Sequence, residues 1–225
     1  GVSIYARGGW GGWGIAFDET APDGAMGWFE TRSDVTEIIG SYFHLGEAQW
    51  ENSRVVKVTG SASGSVMRNK GELHLADGSY FEFYEMENSG LLKVQSGTAS
   101  AMVSRNTGTV DVAKGAALDM YGLTTNEGAL NVNGTLRAYT FSCSECGYSS
   151  DSEGFAVLAE SEEGPPSFVN AAGGLISGSG TLVIDDGQGW LDNHGKIAPG
   201  GVGSTGKLTI DGNLQMHSDS VLHAD

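Results

Sequence analysis

Three sets of residues in this 225-residue chain have the types and spacing to do chemistry. The two cysteines stand as Cys143-Ser144-Glu145-Cys146. Such C-x-x-C spacing suits a redox pair, half of a zinc site or a local disulfide. Zinc needs four ligands, and no second C-x-x-C or spaced His pair accompanies this one. A redox pair sits at a helix start in a strand–helix–strand setting, and no such pattern flanks it. A Cys143–Cys146 disulfide pinning a loop is the favoured reading, with free thiols as the alternative. Closing so short a loop constrains the unfolded chain little. Next come the carboxylates Asp185 and Asp186, with Asp192 nearby. Paired carboxylates share general acid and base roles in glycoside cleavage. Asp-Gly is equally a turn dipeptide, recurring at Asp77-Gly78 and Asp211-Gly212, so a turn is preferred and no catalytic residue is assigned. Last are Trp10 and Trp13, set among glycines, whose ring faces could stack on sugars. Three residues apart, they face opposite sides of any regular strand.

Other reactive arrangements are missing from the sequence. Among the five His, His74 alternates with Leu73 and Leu75 and should face solvent, while His194 sits in a turn tripeptide. There is no G-x-S-x-G elbow and no H-E-x-x-H. Gly178-Ser179-Gly180 lacks the following helix that a phosphate cradle requires. No EF-hand loop is present, so calcium, which takes oxygen ligands, rests on scattered carboxylates alone. The chain reads as a non-enzyme without a cofactor.

The elements that would carry these residues announce themselves by a repeat. Asn-x-Gly recurs at Asn69, Asn88, Asn106, Asn126 and Asn193, and the first four lie 19, 18 and 20 residues apart. After the first four Gly comes the same alternation: Leu73 and Leu75, Leu92 and Val94, Val110 and Val112, Leu130 and Val132. Asn52 with Val56 and Val58 extends the series backward, and Asn170 continues it. A fixed period near 20 residues with one strand signature per period is the mark of a solenoid. Second turns fall at Gly60, Gly78, Gly97, Gly115 and Gly134. Such a coil traces a path of roughly 60 Å, enough to ring a narrow apolar core but not a ligand cavity. Asn and Gly both tolerate the left-handed backbone of tight turns. Asn side chains stacked at about 4.8 Å can also bond to one another as an amide ladder. Asn52, Asn69, Asn88, Asn106, Asn126, Asn170 and Asn193 are read as that structural ladder.

Composition agrees with an all-β chain: 36 Gly, only 4 Pro and 39% hydrophobic residues, without a collagen period. Its 28 acidic and 12 basic residues give a net charge of −16, which repels nucleic acid and anionic lipid. No segment approaches the roughly 20 apolar residues of a membrane helix. Gly1 in place of Met points to a processed chain or a fragment.

Two regions break the period. Residues 1–51 hold four of the five Trp and a Gly-rich opening, and read as an aromatic cap or assembly segment. Between Asn126 and Asn170 the spacing leaves room for an insertion at about 137–168, where specific contacts tend to sit. The expected architecture is a parallel β-solenoid over 52–225, right-handed and of roughly seven coils, with that cap and that loop.

The stretch from Gly173 through Leu175, Gly178 and Gly180 to Ile184 brackets a strand with glycines. Ile197-Ala198-Pro199-Gly200 then leads into Leu208-Thr209-Ile210. Both blocks resemble the strand repeat of bacterial autotransporter passenger β-helices and related surface proteins. The resemblance implies an extracellular location at the bacterial surface and a role in adhesive or structural display. It carries over no catalytic residue. The expected function is a structural subunit that associates with copies of itself, through open strand edges, into a filament or surface layer. A displayed adhesin fragment, or a β-helix that binds or cleaves surface polysaccharide, is the alternative.

Overall fold

The computed structural model describes residues 2–6, 28–31, 35–44, 49–122, 125–140 and 167–223. It is an all-β parallel solenoid of about seven turns. Each full turn has three sides. One strand ends on the repeat Asn, as in Gln49–Asn52, Arg105–Asn106 and Trp190–Asn193. The second follows Asn-x-Gly, as in Leu91–Val94, Thr109–Val112 and Ala129–Val132. The third follows the second turn, as in Ala116–Tyr121, Thr135–Tyr139 and Thr181–Ile184. Every pairing is parallel, and each side pairs with the same side of the coils before and after.

The alternation in sequence becomes columns in space. Val56, Leu73, Leu92, Val110, Leu130, Ile176 and Ile197 pair in register and are buried. Near the first coils the core is aromatic. Trp50 packs on Phe81 and Phe83 with ring centroids 5.8 Å away in both cases. Trp50, which the sequence reading placed in the cap, is therefore core. Residues 1–51 also lend strands to the same ladder: Val2–Ala6 pairs with Val35–His44, and Trp28–Thr31 with Gln49–Asn52. Thr31 occupies the column of Asn52, so the Asn signature does not mark this earlier layer. At the interruption, strand Thr135–Tyr139 precedes the break and Ser167–Asn170 follows it, both paired within the stack.

The glycines of Asn-x-Gly have a different cause from the one their type suggests. None of Gly71, Gly90, Gly108 or Gly128 has positive φ, so these are not left-handed turns. A Cβ at Gly108 would lie 2.2 Å from the carbonyl oxygen of Gly90, and one at Gly128 would lie 2.1 Å from that of Gly108. Successive coils cross there backbone on backbone, and any side chain would part them. At the second turn Gly78, Gly97 and Gly115 do take positive φ, as tight turns require.

Two substitutions separate these causes. Gly108→Ala should lower unfolding free energy by about 3 kcal/mol through overpacking against backbone. Gly115→Ala, with open space around its Cβ but φ of 80°, should cost about 1 kcal/mol of left-handed strain. Urea unfolding of both variants measures the difference; equal losses would contradict the account.

Candidate functional site

The seven repeat Asn form one continuous chain of side-chain amides. Nδ2 of Asn52 donates to Oδ1 of Asn69 at 2.8 Å. The same bond runs on from Asn69 to Asn88, Asn88 to Asn106 and Asn106 to Asn126, each at 2.7 Å. It continues from Asn126 to Asn170 at 2.8 Å and from Asn170 to Asn193 at 2.6 Å. The interruption in sequence does not break it. The second amide proton of Asn69 reaches the Leu91 carbonyl in the following coil at 3.0 Å and that of Asn88 reaches Thr109 at 3.1 Å, whereas that of Asn126 reaches Gly128 of its own coil at 3.1 Å. All seven side chains are buried. A buried amide without partners is costly, so each link depends on its neighbours. These Asn are not at positive φ either; the amide, not the backbone, selects the residue.

The carboxylates singled out in the sequence are structural at one corner. Asp185 and Asp186 both take positive φ, at 45° and 51°, in a short 3-10 turn. Asp185 accepts bonds from the Thr140 backbone N–H at 2.9 Å and from the Thr140 hydroxyl at 2.6 Å. Asp186 accepts from the Tyr139 hydroxyl at 3.1 Å. The turn thus ties the coil of Ile184 to Tyr139 and Thr140, the last described residues before position 167. Beside it Tyr139 stacks on Tyr121 with centroids 4.8 Å apart and planes 10° from parallel, and Arg137 pairs with Asp119 at 2.6 Å. Desolvation, then the Asp186 bond and charge, push the Tyr139 hydroxyl up to about 12. Desolvation first, then Asp119 and Asp186, also raise Tyr121.

Asp192 has a different partner. It lies 3.7 Å from His217 Nε2, a buried nitrogen without a hydrogen bond. His217 stacks on His194 with centroids 3.9 Å apart, and His194 Nδ1 meets Asp219 at 3.1 Å. Desolvation pushes the Asp219 carboxyl up, but its bonds to His194 and to backbone outweigh that and hold it below the usual range. Among the described residues, no group of three or more His, Cys, Asp and Glu is arranged to hold a metal ion. His74 is half-buried, with Nε2 2.9 Å from Glu72. Trp10, Trp13, Cys143 and Cys146 lie outside the described residues.

The last described coil is more exposed than the one before it. Leu214 continues the column of Leu191, Met216 that of Asn193, and Leu222 that of Ile197. The earlier members are 0%, 0% and 3% exposed, whereas the last are 44%, 41% and 59%. Strands Thr209–Asp211, Asn213–Met216 and Val221–Leu222 each pair on one side only among the described residues. This apolar, edge-exposing layer is the candidate functional surface. Sequence reading had marked its strand spacing, but not the pairs Tyr121/Tyr139 and His194/His217. Each pair repeats at one coil period, which was the available signal.

Fold and site together define a parallel β-solenoid protein. Comparisons with protein-family models, with curated proteins and with solved structures find no match.

Removing one link tests the ladder. Asn106→Ala should cost about 2–5 kcal/mol, because it leaves a buried donor on Asn88 and a buried acceptor on Asn126. Asn106→Asp sets an acceptor against Asn126 Oδ1 and buries a charge, so its carboxyl pKa rises on folding. A raised folded pKa means stability lost as pH rises above the unfolded value near 4. The variant should therefore gain on wild type between about pH 7 and pH 4, and thermal melts across that range read the sign. At the corner, Asp185→Ala should cost about 1–3 kcal/mol by removing both Thr140 bonds, read by urea unfolding.

Proposed function

We propose that this chain is a structural β-solenoid of the bacterial cell surface, outside the cell, that associates through open strand edges into filaments or layers. The observation that carries the reading is the last coil, whose inward column residues Leu214, Met216 and Leu222 are exposed where their predecessors are buried. An unpaired parallel edge with an apolar flank is a template for another layer of strands. The extracellular bacterial setting rests on the resemblance of residues 173–184 and 197–210 to autotransporter passenger repeats. Net charge of −16 keeps such a rod soluble along its sides and away from nucleic acid.

The reading assigns no reaction and calls for no cofactor. Asp185 and Asp186 are engaged by Thr140 and Tyr139, which favours a staple over general acid and base roles. Surface glycans remain a second class of partner, for which Trp10 and Trp13 are the candidate contacts.

Sedimentation velocity over a hundredfold concentration range, followed by negative-stain electron microscopy, tests the reading. Species that grow with concentration, and rods longer than one chain, are expected. A strictly monomeric chain of constant sedimentation coefficient would refute it.

A further inference from the structure

We infer that Tyr121 and Tyr139 are a site of covalent cross-linking: a one-electron oxidant, of the class formed by a haem peroxidase with hydrogen peroxide, joins the two rings as dityrosine and so bonds one coil to the next. This inference rests on the geometry of the Asp185 corner and does not depend on self-association.

In-register parallel pairing sets Tyr121 opposite Tyr139 and points both side chains the same way. The rings stack with centroids 4.8 Å apart and planes 10° from parallel, so like atoms of the two rings stand side by side. Both residues are half-buried, which leaves the pair within reach of solvent. Tyrosyl radicals couple through the ring carbons next to the hydroxyl, and two rings held face to face in advance need no diffusional encounter. Among the described residues no third ring extends the stack. Met102 precedes Tyr121 in the column, and the turn at Asp185–Gly187 meets Tyr139 from the following coil. The pair can therefore form one bond and no longer chain of them.

The surroundings supply a route for the proton. Loss of an electron makes a phenol strongly acidic, and Asp186 accepts the Tyr139 hydroxyl at 3.1 Å. Burial, then the Asp186 bond and charge, hold that hydroxyl up at about 12, so at neutral pH its proton must leave with the electron. Asp186 takes that proton and passes it to water, while Tyr121 releases its own to solvent. A C–C bond then forms between one Cε carbon of each ring. The hydrogen on each joined carbon shifts to its phenol oxygen and restores both hydroxyls. In net terms two C–H bonds give way to one C–C bond, and the two electrons and two protons reduce one hydrogen peroxide to two waters. The Asn ladder ties the coils at one corner; this bond would tie strands Ala116–Tyr121 and Thr135–Tyr139 on the third side, beside the corner that Asp185 holds to Thr140. Closing that loop constrains the unfolded chain, so the linked form should unfold at higher urea.

The test treats the full chain with a haem peroxidase and hydrogen peroxide and reads the single-chain band of a denaturing gel, where any link lies within one molecule. Dityrosine fluorescence in that band, a mass lower by two hydrogens, and a linked pair of peptides carrying Tyr121 and Tyr139 are expected. Tyr121→Phe and Tyr139→Phe keep the ring stack and should each cut that fluorescence at least about tenfold. Asp186→Asn keeps an acceptor at a positive-φ position that Asn tolerates, yet takes up no proton, so it should slow linking at least about tenfold. N-acetyltyrosine amide under the same oxidant is the control. If it couples while the folded chain forms no link within one molecule, the inference is overturned. Fluorescence that persists in Tyr139→Phe overturns the site, and Asp186→Asn linking at the wild-type rate overturns the proton route.

Discussion

Everything in this solenoid follows from how closely successive coils approach at the Asn-x-Gly corner. The N–H groups of the two residues after each Asn donate to the carbonyl of the Asn one coil before. Examples are Lys70 and Gly71 to Asn52 at 2.7 and 2.9 Å, and Thr107 and Gly108 to Asn88 at 2.9 and 3.0 Å. Two donors converging on one oxygen draw the backbones together until no Cβ fits between them, hence glycine. That spacing in turn sets each Asn amide at bonding distance from the next, hence asparagine. The tripeptide is thus one device with two halves. Each is required by the same parallel-strand spacing of about 4.8 Å.

Parallel stacking puts each residue directly over its equivalent, which would be ruinous for a highly charged chain if the columns repeated their charges. Several positions alternate instead: after Glu30 and Glu51, which stand in register, Arg68, Glu87 and Arg105 alternate down the same column, and Asp119 faces Arg137 in another. Glu37 and Lys57 stand 3.6 Å apart, and Lys93 and Asp111 3.8 Å apart. Exposed pairs of this kind contribute little stability. Their effect is on register: slipping one coil along the strand would lose the opposite-charge contacts and misalign the amides together. The net charge of −16 is therefore compatible with tight stacking, because neighbours from Glu51 onward in that column, and in the pairs named, are not like-charged.

Sequence alone made the period, the two turns of each coil and the ladder residues legible, since Asn, Gly and apolar alternation recur in phase; the third side, the strand that ends on each Asn, was not marked. It misassigned the cause of the Asn-x-Gly pattern, because tolerance of left-handed backbone and need for close approach select the same glycine. Layers where another residue stands in the Asn column escaped notice, so the strands before Asn52 read as a separate cap. The corner at Asp185 was hidden for a different reason. Two consecutive non-glycine residues at positive φ are unfavourable locally and persist through tertiary bonds to Thr140 and Tyr139, far away in sequence. No local pattern encodes that kind of contact.

The amide ladder also gives the stack a polarity that its ends express. All six links point the same way, with Nδ2 donating toward the later coil, so a donor is left at Asn193. It is taken by the Gly195 carbonyl at 3.3 Å and by the sulfur of Met216 at 3.5 Å. A thioether is a weak acceptor and presents no further donor, so the polar chain stops there. At the other end, the Asn52 oxygen accepts from the Arg54 backbone N–H at 3.0 Å. Past Asn193 the described residues continue the same columns with the apolar side chains of Leu214 and Leu222, so register in the last described coil rests on strand pairing and not on the amides.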